Sequence, residues 1–509
     1  MIRPGSTAWF AKHELRLAWR DWRLLMIAGS RRRTRGMAFG LIAFALFLHG
    51  FAFLMFAPYP DLSRPPDTHM LVVVTGMLVL SFSLMLSQAM ESVTRAFYAR
   101  ADLDLILSSP VAAWRLFAVR IGAMAITVLL MTLVLAAPFI NVLAWRGGAH
   151  WLAGYGVIVA LAMVAVAIAV VLTVALFRTI GPRRTRFVSQ ILAAVIGAAF
   201  VIILQFAAIL SYGTMSRMAF LQSDTINAYA PGSHSILWWP ARDVFGDAVP
   251  LVVLLGAGAI VLGVTIWIFA PCFGRFALIA AGVSHGPRRI GRRAHTFRNA
   301  SPAQALRRKE WALLRRDPWL ASQTLLQLLY LLPPAFLCWR SFYEGGSIST
   351  LLVPVLITVA GQLGGGLAWI AVSGEDAPDL VASAPVPAAR VLRAKTEAVM
   401  GGIAVVFGPF LVVLAALAPF AALVALLGIA ISATSATAIQ FWFRTQAKRD
   451  KIRRRQTSSR IATYAEALSA IGWGATGALA AAGAWVAVVP GFIALAILAG
   501  TWMISPAKV

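Results

Sequence analysis

Charge is what this sequence has least of, and negative charge above all. Only 13% of its 509 residues are charged, and 19 Asp and Glu stand against 45 Lys and Arg. Soluble domains carry about 25% charged residues. With 60% apolar residues and a mean hydropathy of +0.80, the chain could not cover a soluble surface with polar groups. The same composition excludes disorder. Cysteine is nearly absent: Cys272 and Cys338 make neither a disulfide framework nor a C-x-x-C pair. The seven histidines form no H-E-x-x-H, and the spacing of His69, His150 and His234 supports no metal site. No G-x-x-x-x-G-K-[ST] phosphate loop occurs, so the chain is expected not to be an ATP-hydrolysing enzyme, and no catalytic, cofactor or metal residue is assigned. The first apolar run follows 36 residues that carry nine Lys and Arg, too long and basic for a cleaved leader.

What is there is long apolar runs. They lie near 37–57, 70–90, 120–143, 151–176, 187–211 and 249–270, then near 323–343, 349–372, 398–417, 420–440, 467–485 and 487–504. About 20 residues cross a bilayer, and helices satisfy every backbone polar group there. Placing the N-terminus inside puts 40 of the 45 basic residues on the cytoplasmic side. Only Arg64, Arg146, Arg217, Arg242 and Arg340 fall outside. That split predicts twelve spans with both termini cytoplasmic. It also accounts for the +26 charge through orientation and anionic-lipid contact, with no need of nucleic acid.

The chain repeats itself. Asp104-Leu-Ile-Leu-Ser108-Ser-Pro110-Val aligns with Asp379-Leu-Val-Ala-Ser383-Ala-Pro385-Val at an offset of 275, five of eight positions being identical. At that offset Arg115 falls on Arg390 and Arg120 on Lys395. Lys12-His13-Glu14 with Leu17, Arg20 and Asp21 pairs with Arg308-Lys309-Glu310 with Leu313, Arg316 and Asp317. Phe177-Arg178-Thr179 returns as Phe443-Arg444-Thr445. Two fused copies in one orientation are expected, 1–275 and 276–509. Their parts are a cytoplasmic N-terminal region 1–36, a six-span half 37–275, a basic cytoplasmic linker 276–322 and a six-span half 323–509. The first half has a 37-residue outer loop, 212–248, with Trp238-Trp239-Pro240; the second has a short turn near Pro490.

Residues 8–26 read as an amphipathic helix in the headgroup plane, with an apolar stripe flanked by Lys12, Arg16, Arg20 and Arg23. Residues 305–319 repeat this more weakly. In the loop after each second span, Pro110 or Pro385 ends one short helix and favours the start of the next. The resulting elbow would turn Asp102 and Asp104 toward a protein partner and Arg115 and Arg120 toward the lipid boundary. Pro378 and Pro387 make the second copy less regular.

This arrangement resembles the permease subunits of ABC-2-type transporters, in particular fused twelve-span bacterial permeases. The resemblance rests on two elbows, 8–26 and 305–319, and on two acidic segments ending in a Leu-x-x-Ser-x-Pro-like turn, 98–120 and 373–395. It implies an all-α integral membrane fold of twelve helices in two six-helix halves, with amphipathic elbow helices and cytoplasmic coupling segments. It also implies export across a bacterial inner membrane, separate ATPase subunits as partners, ATP used by those subunits alone, and contact with membrane lipids. The coupling candidates are Asp102, Asp104, Ser108, Pro110 and Arg115, with Asp376, Asp379, Ser383, Pro385 and Arg390. The elbow candidates are Glu14, Arg20, Asp21, Glu310, Arg316 and Asp317.

The spans hold few ionisable groups: His49 in the first, with Glu91 and Glu466 at inner ends. That scarcity disfavours ion coupling. Gln88, Asn141, Gln205, Gln323, Gln327, Gln362 and Gln440 are expected to bond between helices, and Gly361–Gly366 to permit close packing. Two alternatives remain open. One is a secondary carrier, although the basic Gly-x-x-x-Asp-Arg loop of the major facilitators is absent. The other is an integral-membrane enzyme acting on lipid-linked substrates.

Overall fold

A computed structural model describes residues 9–14, 16, 33–57, 67–98, 113–212, 235–285, 301–316, 349–373, 385–443 and 460–505, with 228, 230–232, 325, 329, 332, 333, 336, 381 and 383. Every regular element among them is a helix. The chain divides into two compact units: Met1–Tyr212 with Ser216–Pro287, and Gly213–Met215 with Arg288–Val509.

The first unit contains α1 (Arg33–Phe56), α2 (Thr68–Tyr98), α3 (Ala113–Gly147), α4 (Ala153–Ile180), α5 (Pro182–Tyr212), the short α6 (Trp239–Val244) and α7 (Ala248–His285). The start of α2 is set by Asp67, whose Oδ1 accepts the Met70 N–H at 2.8 Å. Gly148 and Gly181, both at positive φ, mark the breaks that follow α3 and α4. Met85, Met90, Phe117, Ile121 and Val166 from α2, α3 and α4 make its core. α7 continues through Pro271 to His285, beyond the expected boundary at 275.

The second unit contains α8 (Pro302–Arg316), α9 (Ser349–Ser373), α10 (Ala388–Leu417), α11 (Pro419–Trp442), α12 (Arg460–Ala481) and α13 (Val488–Met503). Its core joins Leu356 and Ile357 of α9 to Val399 and Phe407 of α10 and Ile429 of α11. Gly361, Gly364 and Gly365 face Ser432, Ala433 and Glu466 at the crossings with α11 and α12. A Cβ at Gly365 would overlap the Glu466 carboxylate, so a larger residue there must displace that buried side chain.

Both units pack their second, third and fourth long helices together, and in both the fifth lies on the second. The last helix differs. α7 lies on α4 and α3, whereas α13 folds back on α12 through a tight turn over 482–487. That turn, with Gly483 at φ +71, replaces the one expected near Pro490, which sits inside α13.

Nine helical stretches among the described residues are long and apolar enough to cross a membrane. They match the second to sixth, eighth, ninth, tenth and twelfth expected spans. α1 contributes only the shorter apolar stretch Ala45–Phe56. The seventh expected span lies almost wholly outside the described residues. The eleventh is α12, an Ala- and Gly-rich helix that carries Glu466 and falls outside the nine. Many large side chains exposed on the long helices are apolar, Leu54, Val252, Val412 and Phe492 among them, as lipid contact requires.

Candidate coupling site

The N-terminal helical residues 9–14 bring Glu14 against the start of α3. Glu14 is 6% exposed and Arg120 is 3% exposed. Arg120 Nε lies 3.6 Å from Glu14 Oε1, and its guanidinium carbon stands 5.9 Å from the Phe117 ring centre. The pair holds a buried cation, which would be costly if unmatched. This corrects the expectation for Arg120, which is buried under the elbow and does not reach toward the lipid boundary.

The second unit repeats the contact more completely. Ser301 caps α8, its Oγ accepting the Gln304 N–H at 3.3 Å, and Pro302 opens the first turn. Glu310 has no exposed surface. Its two carboxylate oxygens accept from Lys395 Nζ at 3.0 and 3.1 Å, and Lys309 Nζ stands 3.4 Å away. The Lys395 ammonium also donates to the Ala371 carbonyl, in the last turn of α9. Carbonyls there lack helical partners and favour a cation. One turn back along α8, Arg307 binds Glu397 in two-pronged fashion at 2.5 and 3.2 Å, and Arg393 adds a contact at 3.0 Å. Trp311 packs on Gly401, where no Cβ would fit.

Lys395 therefore ties three elements: the elbow helix α8, the end of α9 and the start of α10. The segment joining α9 to α10 is the second coupling candidate, so the pair sits at its foot. In the first unit Glu14 meets Arg120 in the opening turns of α3, the helix that follows the first coupling candidate. α3 and α10 begin at Ala113 and Ala388, 275 residues apart, three residues beyond the prolines expected to open them.

Of the coupling candidates, Arg115 is exposed with its guanidinium 5.5 Å over Trp114. Ser383, Pro385 and Arg390 are exposed. Asp102, Asp104, Ser108, Pro110, Asp376 and Asp379 lie outside the described residues, as do Arg20, Asp21 and Asp317 of the elbows. Arg316 is the last residue of α8. The structure thus brings Glu14 to Arg120 and Glu310 to Lys395. Neither pairing was anticipated, although a carboxylate and a cation kept at equivalent positions of both copies was a signal for it.

Polar groups within the spans bond between helices. Gln440 Nε2 donates to Glu466 Oε2 at 2.6 Å. Tyr155 donates to Asn141 Oδ1 at 2.7 Å, and Asn141 Nδ2 stands 3.4 Å from His49 Nε2. Among the described residues no three His, Cys, Asp or Glu side chains gather as metal ligands. Comparison with protein-family models, curated proteins and solved structures finds no match.

Proposed function

We propose that this chain is the membrane-spanning permease of an ATP-driven ABC exporter of the bacterial inner membrane, with both termini cytoplasmic. Separate ATPase subunits would dock on the segments 98–120 and 373–395 and supply all ATP chemistry. The observation that carries this reading is the duplicated acid–base pair, Glu14–Arg120 and Glu310–Lys395, at the foot of each segment. A push on the segment would reach the elbow and two span ends through one buried contact. Two discrete arrangements of such packed elements are what alternating access needs. The substrate is inferred to be hydrophobic or amphipathic, because apolar side chains dominate the helices.

A second reading, an ion-coupled carrier, draws on Glu466. This carboxylate is buried in α12 against Gly365 and Gln440, and intramembrane carboxylates commonly mark ion pathways. One experiment separates the two. Affinity purification from native membranes should recover an ATPase with a phosphate loop, whose turnover rises when this chain is present. Proton or sodium flux through proteoliposomes holding this chain alone, with no such ATPase recovered, would favour the carrier.

A further inference from the structure

The outer end of the first unit holds a carboxylate without a partner. α6 is wedged among the outer ends of α2, α4 and α7 by the 3-10 turns Ile236–Trp238 and Ala149–Leu152. Trp238 is buried with Leu71, Val72 and Ala241, and its Nε1 donates to the Pro231 carbonyl at 3.1 Å. Phe245 packs against Trp151 in a tilted arrangement, ring centres 4.7 Å apart. Gly246, at φ +94, lets the chain pass directly over His150. Inside this tightly seated cap, Asp243 is fully buried, and among the described residues neither of its carboxylate oxygens has a hydrogen-bond partner.

The charges around it do not compensate. Arg242 is committed to Asp247, at 2.8 Å. Asp247, at the start of α7, adds a second negative charge. From α2, Asp67 caps its own helix and His69 is exposed; from the turn before α4 comes His150, and from α4 Tyr155, which bonds to Asn141. Burial first, and Asp247 second, push the Asp243 carboxyl up from 3.8 to about 6, against the pull of Arg242. An ionised carboxylate in this seat is costly, whereas the neutral acid is tolerated.

We propose that Asp243 is a proton-binding site on the outer face that latches the cap 235–247. With a proton from the outer solution, the acid stays in its dry seat and the cap stays down on the bundle. On losing the proton, the carboxylate draws water and the cap lifts. The sign follows from linkage: the folded protein holds this proton where the unfolded chain has released it, so stability falls as pH rises through the interval between the two values. Nothing in this inference depends on ATP coupling.

The test uses the full chain in detergent micelles, with thermal unfolding followed from about pH 5 to about pH 8. The wild type should lose several degrees of melting temperature over the lower part of this range and then level off. Asp243→Asn should lack this response and be at least as stable as the wild type at about pH 5, where the wild type has already lost part of the contribution, and Asp247→Asn should keep a pH response. A wild-type pH response in Asp243→Asn, or its destabilisation at every pH, would overturn the proposal. A second measurement needs no change at Asp243. In a chain with Cys272 and Cys338 replaced by Ser, Ala241→Cys on the buried face of the cap should react with an impermeant thiol reagent several-fold faster at high pH. A rate indifferent to pH would overturn the latch.

Discussion

Glu310 and Lys395 meet at 3.0 Å where Glu310 has no contact with solvent, and Lys395 reaches on to the Ala371 carbonyl. Glu14 and Arg120 occupy the equivalent places in the other unit. Local pairing along one helix cannot explain this, since the partners are 85 and 106 residues apart in the sequence. The recurring acid–base pair links an N-terminal helical segment of each unit to the helix that follows its coupling candidate.

Removing one member of such a pair should hurt more than removing both. Glu310→Ala leaves Lys395 buried beside a helix end with its main partner gone, a loss of about 3 kcal/mol. The double change Glu310→Ala with Lys395→Met should cost clearly less than the sum of the single changes, with a coupling of at least about 0.5 kcal/mol. Denaturant or thermal unfolding of all four chains in the same detergent gives the coupling directly. Additive losses would mean that the contact does not hold the elbow.

Glycine 365 should be intolerant of a single methyl group. Gly365→Ala places a Cβ on the Glu466 carboxylate, and overpacking of this kind costs about 1–3 kcal/mol. Gly408→Ala in α10 meets nothing within contact distance and should be neutral or slightly stabilising. Melting temperatures of the two variants, measured side by side, check the contrast.

The sidedness of the chain is testable at two exposed residues. In a chain with its native cysteines replaced, Ser383→Cys should resist an impermeant thiol reagent on intact spheroplasts and react after permeabilisation. Leu237→Cys, exposed in the cap, should react from outside. Labelling of residue 383 from outside would reverse the assigned orientation.

The long apolar helices were legible in the sequence because an unbroken apolar run has one stable solution in lipid. The glycine run 361–366 announced its close helix crossings for the same reason, and Gln440 its interhelical bond. α12 was harder to score, because Ala and Gly build a tightly packed helix with little hydropathy. Spacing alone could not give the packing of the last helices: α7 and α13 have similar apolar character, and their connections send them to different neighbours. Nor could it give the burial of Asp243, since nothing in the spacing of the 37-residue loop 212–248 shows α6 lodged among three helices. The partner of Arg120 stayed hidden because helical spacing over 8–26 does not show which element covers Glu14, and the start of α3 does so.

The account stands on the claim that 98–120 docks a separate ATPase. The direct measurement is the amount of ATPase that co-purifies with Asp102→Arg plus Asp104→Arg, compared with wild type at matched permease levels. Replacing attraction by repulsion at such an interface costs about 2–5 kcal/mol, or tens- to thousands-fold in binding at about 1.4 kcal/mol per decade. Asp379→Arg should have a smaller effect. The account predicts that a phosphate-loop ATPase accompanies the wild type and is largely lost from the double variant. Its undiminished recovery with that variant, or its absence from the wild type, would contradict the account.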